Sequence, residues 1–235
     1  MCSIVVSPKP DGNFLLGMNR DERRTRSPAL ELRSLGDGAL RAAFPVDPDG
    51  GGTWIASRRD GLTLALMNQY DRVSSELDAT PISRGTLIPK LLSAVDLTAA
   101  FARLPEILAS LPGPVRPFWM IGIEPGKGPI LSYRWRGVLA SAEFEARTRE
   151  DSIFSSSSWN PDESVAYRSE SFRNLIAREV RPLSQERIRA FLTTVIPGHE
   201  TTGVAMRRPE SRTVSTTIVA LMAEGYRLEY EPHVA

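Results

Sequence analysis

The chain has 235 residues, 41% of them hydrophobic and 24% charged, with a formal net charge of +1. That length supplies ample chain for a buried core, and the balance of basic against acidic residues gives no electrostatic case for nucleic acid or a membrane surface. A single cysteine, Cys2, and two histidines far apart in sequence, His199 and His233, exclude an internal disulfide and a cysteine-rich zinc site and leave little to hold a first-row metal.

Residues 3–6 predict a short buried strand, Pro10-Asp11-Gly12-Asn13 a tight turn, and residues 13–18 the returning strand. Antiparallel pairing brings first and last residues together, so Asn19-Arg20-Asp21-Glu22 arrives at the Cys2 end. Residues 23–52, rich in Arg, Gly, Pro and Asp, read as irregular. Gly51-Gly52-Thr53-Trp54 reads as a tight turn with an aromatic plug, because no Walker lysine follows to complete a phosphate cradle. Residues 53–57 and 62–67 predict a second hairpin around Arg58-Arg59-Asp60-Gly61. Residues 83–93 and 96–104 have helical spacing, with Asp96 as N-cap and prolines 105, 112, 114 and 117 ending the region.

A third hairpin is predicted from residues 117–123 and 129–134, and a short strand over 152–155. Residues 163–180 predict a long helix with Val165, Phe172, Leu175, Ile176 and Val180 near one face. Pro182 ends it, and Ser184 caps a second helix reaching about residue 195. Residues 203–206, 214–221 and 226–230 predict closing strands. Hairpins separated by two helical blocks point to one α+β layered domain over residues 1–235. No stretch approaches membrane-spanning length, and Ile4-Val5-Val6 is too short for a signal-peptide core. The expected setting is the cytoplasm, where a lone thiol stays reduced.

The chemistry centres on Cys2. Removal of Met1 makes it the N-terminus, with a thiol and a free amine side by side. An ordinary cysteine titrates near about 8.5, so little thiolate exists at neutral pH. An α-amine, at about 7.7–8.0, is then the nearest base. Acyl transfer also needs donors for a developing oxyanion. Asn68, ending the 62–67 strand, is one candidate, and the serine run 155–158 is another. Arg20 can lower the thiol pKa or hold a carboxylate, Asp21 can orient the α-ammonium, and Arg212 can act as a second anion clamp. Each also has a bland reading: Asn68 as a turn residue, the serines as a polar connection, Asp21 as a strand terminator, Arg212 as a surface charge. His199 sits in a Pro-Gly loop, and an N-terminal nucleophile has no need of it.

Met1-Cys2, Asn19-Arg20-Asp21-Glu22, Gly51-Gly52-Thr53-Trp54, Asn68 and a Thr/Ser-rich final strand, in that order, resemble the NRDE family, also called transport and Golgi organisation protein 2-like. That family in turn resembles the cysteine N-terminal-nucleophile hydrolases, the group of penicillin V acylase and bile salt hydrolase. Those enzymes begin Met-Cys, lose the methionine and carry Gly-Arg-Asn-x-Asp after the first hairpin. Here Gly17-Met18-Asn19-Arg20-Asp21 stands at that place. Cys2, Asn19 and Asp21 match; Met18 occupies the arginine position, and Arg20 lies two residues on, on the same side of a strand. Asn68 corresponds to the first oxyanion asparagine, the second falls in the serine run, and the late arginine corresponds to Arg212.

The resemblance implies a four-layer αββα sandwich: two antiparallel sheets with helices on both outer faces. It implies an amidohydrolase or acyl transferase for a small amide or acyl substrate, with no metal or organic cofactor. The expected catalytic residues are Cys2, Asn19, Arg20, Asp21 and Asn68; the expected substrate-binding residues are Trp54, Ser156, Ser157 and Arg212. Two other functions fit the same cleft or fold: a carrier of haem, acyl-CoA or another amphipathic ligand, and a structural or trafficking protein with no small-molecule role.

Overall fold

The computed structural model describes residues 2–70 and 81–233. Within them the chain runs β1 (Cys2–Pro8), β2 (Phe14–Arg23), β3 (Leu30–Leu35), β4 (Ala42–Val46), β5 (Ile55–Arg58) and β6 (Thr63–Asn68). Three short helices follow, α1 (Leu87–Leu91), α2 (Leu97–Ala102) and α3 (Leu104–Ser110), then β7 (Phe118–Ile123), β8 (Ile130–Trp135), β9 (Glu143–Arg147) and β10 (Ser152–Ser156). Two longer helices, α4 (Pro161–Arg178) and α5 (Gln185–Thr193), precede β11 (Ser211–Met222) and β12 (Gly225–Pro232). One sheet has the order β10-β1-β2-β11-β12 and the other β3-β4-β5-β6-β7-β8-β9, with antiparallel pairing throughout.

Side-chain alternation builds the layers. On β1 and β2, Ile4, Val6, Phe14, Leu16 and Met18 face the seven-stranded sheet and meet Ile55, Ala65, Met67 and Ile121. The intervening Val5 and Leu15 pack outward on Phe172 of α4 and on Ile188 and Leu192 of α5. The seven-stranded sheet turns Leu64, Leu66, Phe118 and Met120 outward onto Leu87, Leu91 and Phe101 of α1 and α2. Strands buried on both faces read as continuous apolar runs, which is why β1 and β7 stand out in the sequence. The result is the α+β sandwich that the resemblance implies, with its middle layer between the sheets.

Several boundaries differ from expectation. β2 continues through Arg23, so Asn19-Arg20-Asp21-Glu22 lies within the strand instead of following it. Residues 23–52 are not irregular throughout: they contain β3 and β4. Pro105 opens α3 rather than ending a helix, its missing N–H falling in the first turn where no partner is needed. The buried stripe of α4 is Ser164, Arg168 and Phe172, whereas Val180 lies beyond the helix and is exposed. Residues 203–206 are buried without joining a sheet: the Gly203 N–H bonds to His199 O and the Met206 N–H to the Thr213 hydroxyl. Asp96 and Ser184 do cap α2 and α5, accepting from the Ala99 and Arg187 N–H groups. Among the described residues, no helix is long and apolar enough to cross a membrane.

Candidate active site

Cys2 begins β1 and is paired across the ladder with Ser156 of β10 on one side and Arg20 of β2 on the other. Arg20 is in turn opposite Ser215 of β11. Directly opposed residues of an antiparallel sheet point to the same face, with Cβ atoms roughly 4.5–5.5 Å apart. Ser156, Cys2, Arg20 and Ser215 therefore form one row across the five-stranded sheet. Cys2 belongs to the cluster between the sheets, so the row faces the middle layer. Ser156 Oγ is buried and has no hydrogen-bond partner among the described residues. An unpaired buried hydroxyl is costly, and this one stands beside the only thiol of the chain.

Arg20 joins this row to the rim. Its guanidinium lies 4.4 Å from the Trp54 ring centre, 3.4 Å from Asp47 Oδ2 and 3.5 Å from Glu22 Oε2. Arg26 continues the chain of charges, 2.5 Å from Asp47 Oδ2 and 3.7 Å from Asp49 Oδ2. Side-chain exposure climbs along it, from 8% at Arg20 through 14% at Asp47 to 41% at Asp49. Charged groups thus lead from the thiol to solvent. Trp54 is held by the turn before β5, where the Asp47 N–H donates to Gly52 O and a Cβ on Gly52 would strike the Gly85 backbone at 2.3 Å. The Gly-Gly-Thr-Trp segment is a tight turn with an aromatic plug.

The thiol itself is packed. Burial pushes the Cys2 thiol above its ordinary range, and the charge of Asp21 adds to that; hydrogen bonding from the Asp21 backbone and the charge of Arg20 pull the other way. Arg84, just before α1, adds a second cation near the thiol. Burial lowers its pKa, while the charges of Tyr70, Cys2 and Glu22 raise it.

Asn19 and Asp21 alternate with Arg20 and so face the helical layer. Asn19 Nδ2 donates to Leu192 O at 2.6 Å and Val204 O at 3.1 Å, and its Oδ1 accepts from the Thr216 hydroxyl at 2.8 Å. Asp21 accepts from the Thr213 hydroxyl at 2.6 Å and pairs with Arg168 of α4 at 3.4 Å, both side chains fully buried. Arg168 also donates to Ser3 Oγ at 3.1 Å, to Ser156 O at 3.4 Å and to the carbonyls of Thr202 and Gly203. It therefore ties together Asp21, the neighbour of Cys2 and the register partner of Cys2. Sequence reasoning missed Arg168; its signal was a position four residues from both Ser164 and Phe172 on one helical face.

The remaining expected residues separate. Asn68 ends β6 and donates to the Tyr70 hydroxyl at 2.9 Å; it shares the row of Leu64 and Leu66, and β6 passes over β1 and β10. Ser157 bonds to its own turn, donating to Trp159 O at 2.6 Å and accepting from Arg208 at 3.2 Å. Arg212 lines a different cavity, with His233. Met1 lies outside the described residues, as does its removal. Among the described residues, no group of three or more His, Cys, Asp or Glu is placed to hold a metal ion.

Comparison with known proteins bears on this arrangement. No curated protein matches the chain in sequence. Among solved structures, a Caenorhabditis elegans N-acylethanolamine-hydrolyzing acid amidase ortholog superposes with a TM-score of 0.62 at 14% identity, covering 93% of this chain and 92% of that one. The C2A mutant of a conjugated bile acid hydrolase from Clostridium perfringens covers 99% of this chain and 92% of that one, at 13% identity and a TM-score of 0.44. The first of these shares the fold. The ordered tetrapeptide on β2, the glycine turn under Trp54 and the cysteine opening β1 are all contained within residues 1–223, the span over which the Transport and Golgi organisation 2 (TANGO2) family matches, and the chain belongs to that family.

Proposed function

We propose that the chain is a cysteine N-terminal-nucleophile amidohydrolase or acyl transferase acting on a small amide or acyl substrate. The observation that carries this reading is the row Ser156–Cys2–Arg20: a thiol flanked by an unpartnered buried hydroxyl and a guanidinium on the inter-sheet face. In this scheme Met1 is removed, and the α-amine of Cys2 takes the thiol proton. The thiolate attacks the carbonyl carbon, and the carbonyl electron pair moves onto oxygen, where the Ser156 hydroxyl donates to it. The ammonium returns its proton to the leaving amine as the C–N bond breaks. Water then cleaves the thioester, releasing the acid and restoring the thiol.

Arg20 holds the thiolate or a substrate carboxylate, and Trp54 supplies an apolar wall. Asn19 and Asp21 fix β2 from behind, and Ser157 fixes the turn after β10. The proposed setting is the cytoplasm. A second reading is a carrier of haem, acyl-CoA or another amphipathic ligand in the same cleft; burial raises the Cys2 thiol pKa and so opposes the thiolate that the hydrolase reading requires.

The test is an intact mass of protein from its native host, joined to turnover of a panel of N-acyl amides by wild type and Cys2→Ala. The hydrolase reading expects complete loss of Met1 and turnover that Cys2→Ala abolishes. Retention of Met1 in the mature protein overturns it. A Soret shift on haem titration that disappears in Cys2→Ala selects the carrier.

A further inference from the structure

Behind β2, on the side away from the thiol, lies a cavity of about 310 Å³ lined by Arg189, Arg207, Arg212, Thr213, Glu231 and His233, among others. Arg207 and Arg212 face each other across an isolated antiparallel bridge. Residues so opposed project to one side, and like charges directly opposite destabilise a sheet. The chain nevertheless places two guanidiniums there and adds a third. Arg189, on α5, is held by Glu229 at 3.1 Å and by Glu231. Arg212 donates from Nη2 to His233 O at 3.1 Å, which orients the last described residue into the cavity wall. Arg189 is already held by two carboxylates, so Arg207 and Arg212 supply the basic face of the cavity.

We propose that this cavity is a binding site for a multiply charged oxyanion of the phosphate-ester or pyrophosphate class. Guanidinium forks bind such groups bidentately, and an anion between Arg207 and Arg212 removes their mutual repulsion. The site is separate from the Cys2 row and independent of the hydrolase reading. It is also adjacent to the tetrapeptide strand. The Thr213 hydroxyl that lines it donates to Asp21 at 2.6 Å, and His233 Nε2 lies 3.1 Å from the Thr216 hydroxyl that donates to Asn19. An occupant therefore sits one hydroxyl away from two of the four tetrapeptide side chains.

The test titrates the full chain with inorganic pyrophosphate at constant ionic strength, chloride replacing pyrophosphate, and follows thermal unfolding and calorimetric heat. A ligand that binds only the folded state raises the melting temperature in a saturable way. The expected result is one saturable site, with Arg207→Glu weakening it by at least about tenfold and Arg33→Glu on the distant β3 edge binding as wild type. Arg207 is exposed, so its replacement leaves the fold intact even if Arg212→Ala does not fold. Stabilisation that never saturates, or that is equally strong in Arg207→Glu, overturns the proposal.

Discussion

Arg168 and Asp21 are two opposite charges removed entirely from solvent, 3.4 Å apart. Taking each out of water is expensive, and their attraction offsets that cost only because both are also hydrogen-bonded: Asp21 by Thr213, Arg168 by Ser3 and three carbonyls. Breaking such a pair from one side leaves an uncompensated buried charge. Arg168→Met and Asp21→Asn should therefore each lower stability by about 3–5 kcal/mol in urea denaturation. The double variant Arg168→Met/Asp21→Asn should lose much less than the sum. Additive losses would show that the two side chains do not act as a pair. Residues of the first hairpin were legible in the sequence because local pairing alone sets Arg20 opposite Cys2. Arg168 was not, since an arginine on a helix reads as solvated until the strand beneath supplies a carboxylate.

At the scale of elements, α5 approaches β2 so closely at Gly17 that no side chain fits between them at that position. A Cβ built on Gly17 would meet Ile188 Cγ2 and Leu192 Cδ1, each at 2.6 Å. This contact sets the height of α5 above the strand and brings Leu192 O within reach of Asn19. Gly17→Ala should displace the helix and cost about 1–3 kcal/mol by overpacking. Pairing it with Leu192→Ala should cost less than the separate losses combined, read from urea midpoints. A Gly17→Ala midpoint equal to wild type would mean that the helix is not held against the strand. The central elements were legible because burial on one or both faces imposes periodicity. β3 and β9 were not: they are the two edges of the seven-stranded sheet, and their few apolar residues, among them Leu30, Leu32 and Phe144, stand exposed among charged neighbours. Nor does local sequence announce that β11, besides its hairpin partner β12, pairs with β2 on its other edge.

At the scale of the whole molecule, the layers bury acids that are neutral at physiological pH, and this fixes how stability responds to alkali. Burial raises Cys2, Tyr133 and Tyr230, and it pushes Tyr226 up to about 12 from an ordinary 10.0. Tyr226 stacks on Phe14 with ring centres 4.6 Å apart, and its hydroxyl accepts from the Phe14 N–H and donates to Asn13, so it clamps the first hairpin from β12. Above pH 10 the unfolded chain has released this phenolic proton while the folded chain retains it until about 12. The folded state then binds more protons, and stability falls as pH rises. The contribution is fully present below pH 10 and is lost through the window from 10 to about 12. Tyr226→Phe should start from a lower urea midpoint at neutral pH, having lost two hydrogen bonds, yet decline less steeply across that window. Parallel slopes for wild type and Tyr226→Phe would remove Tyr226 from the alkaline transition and leave the decline to the other buried acids.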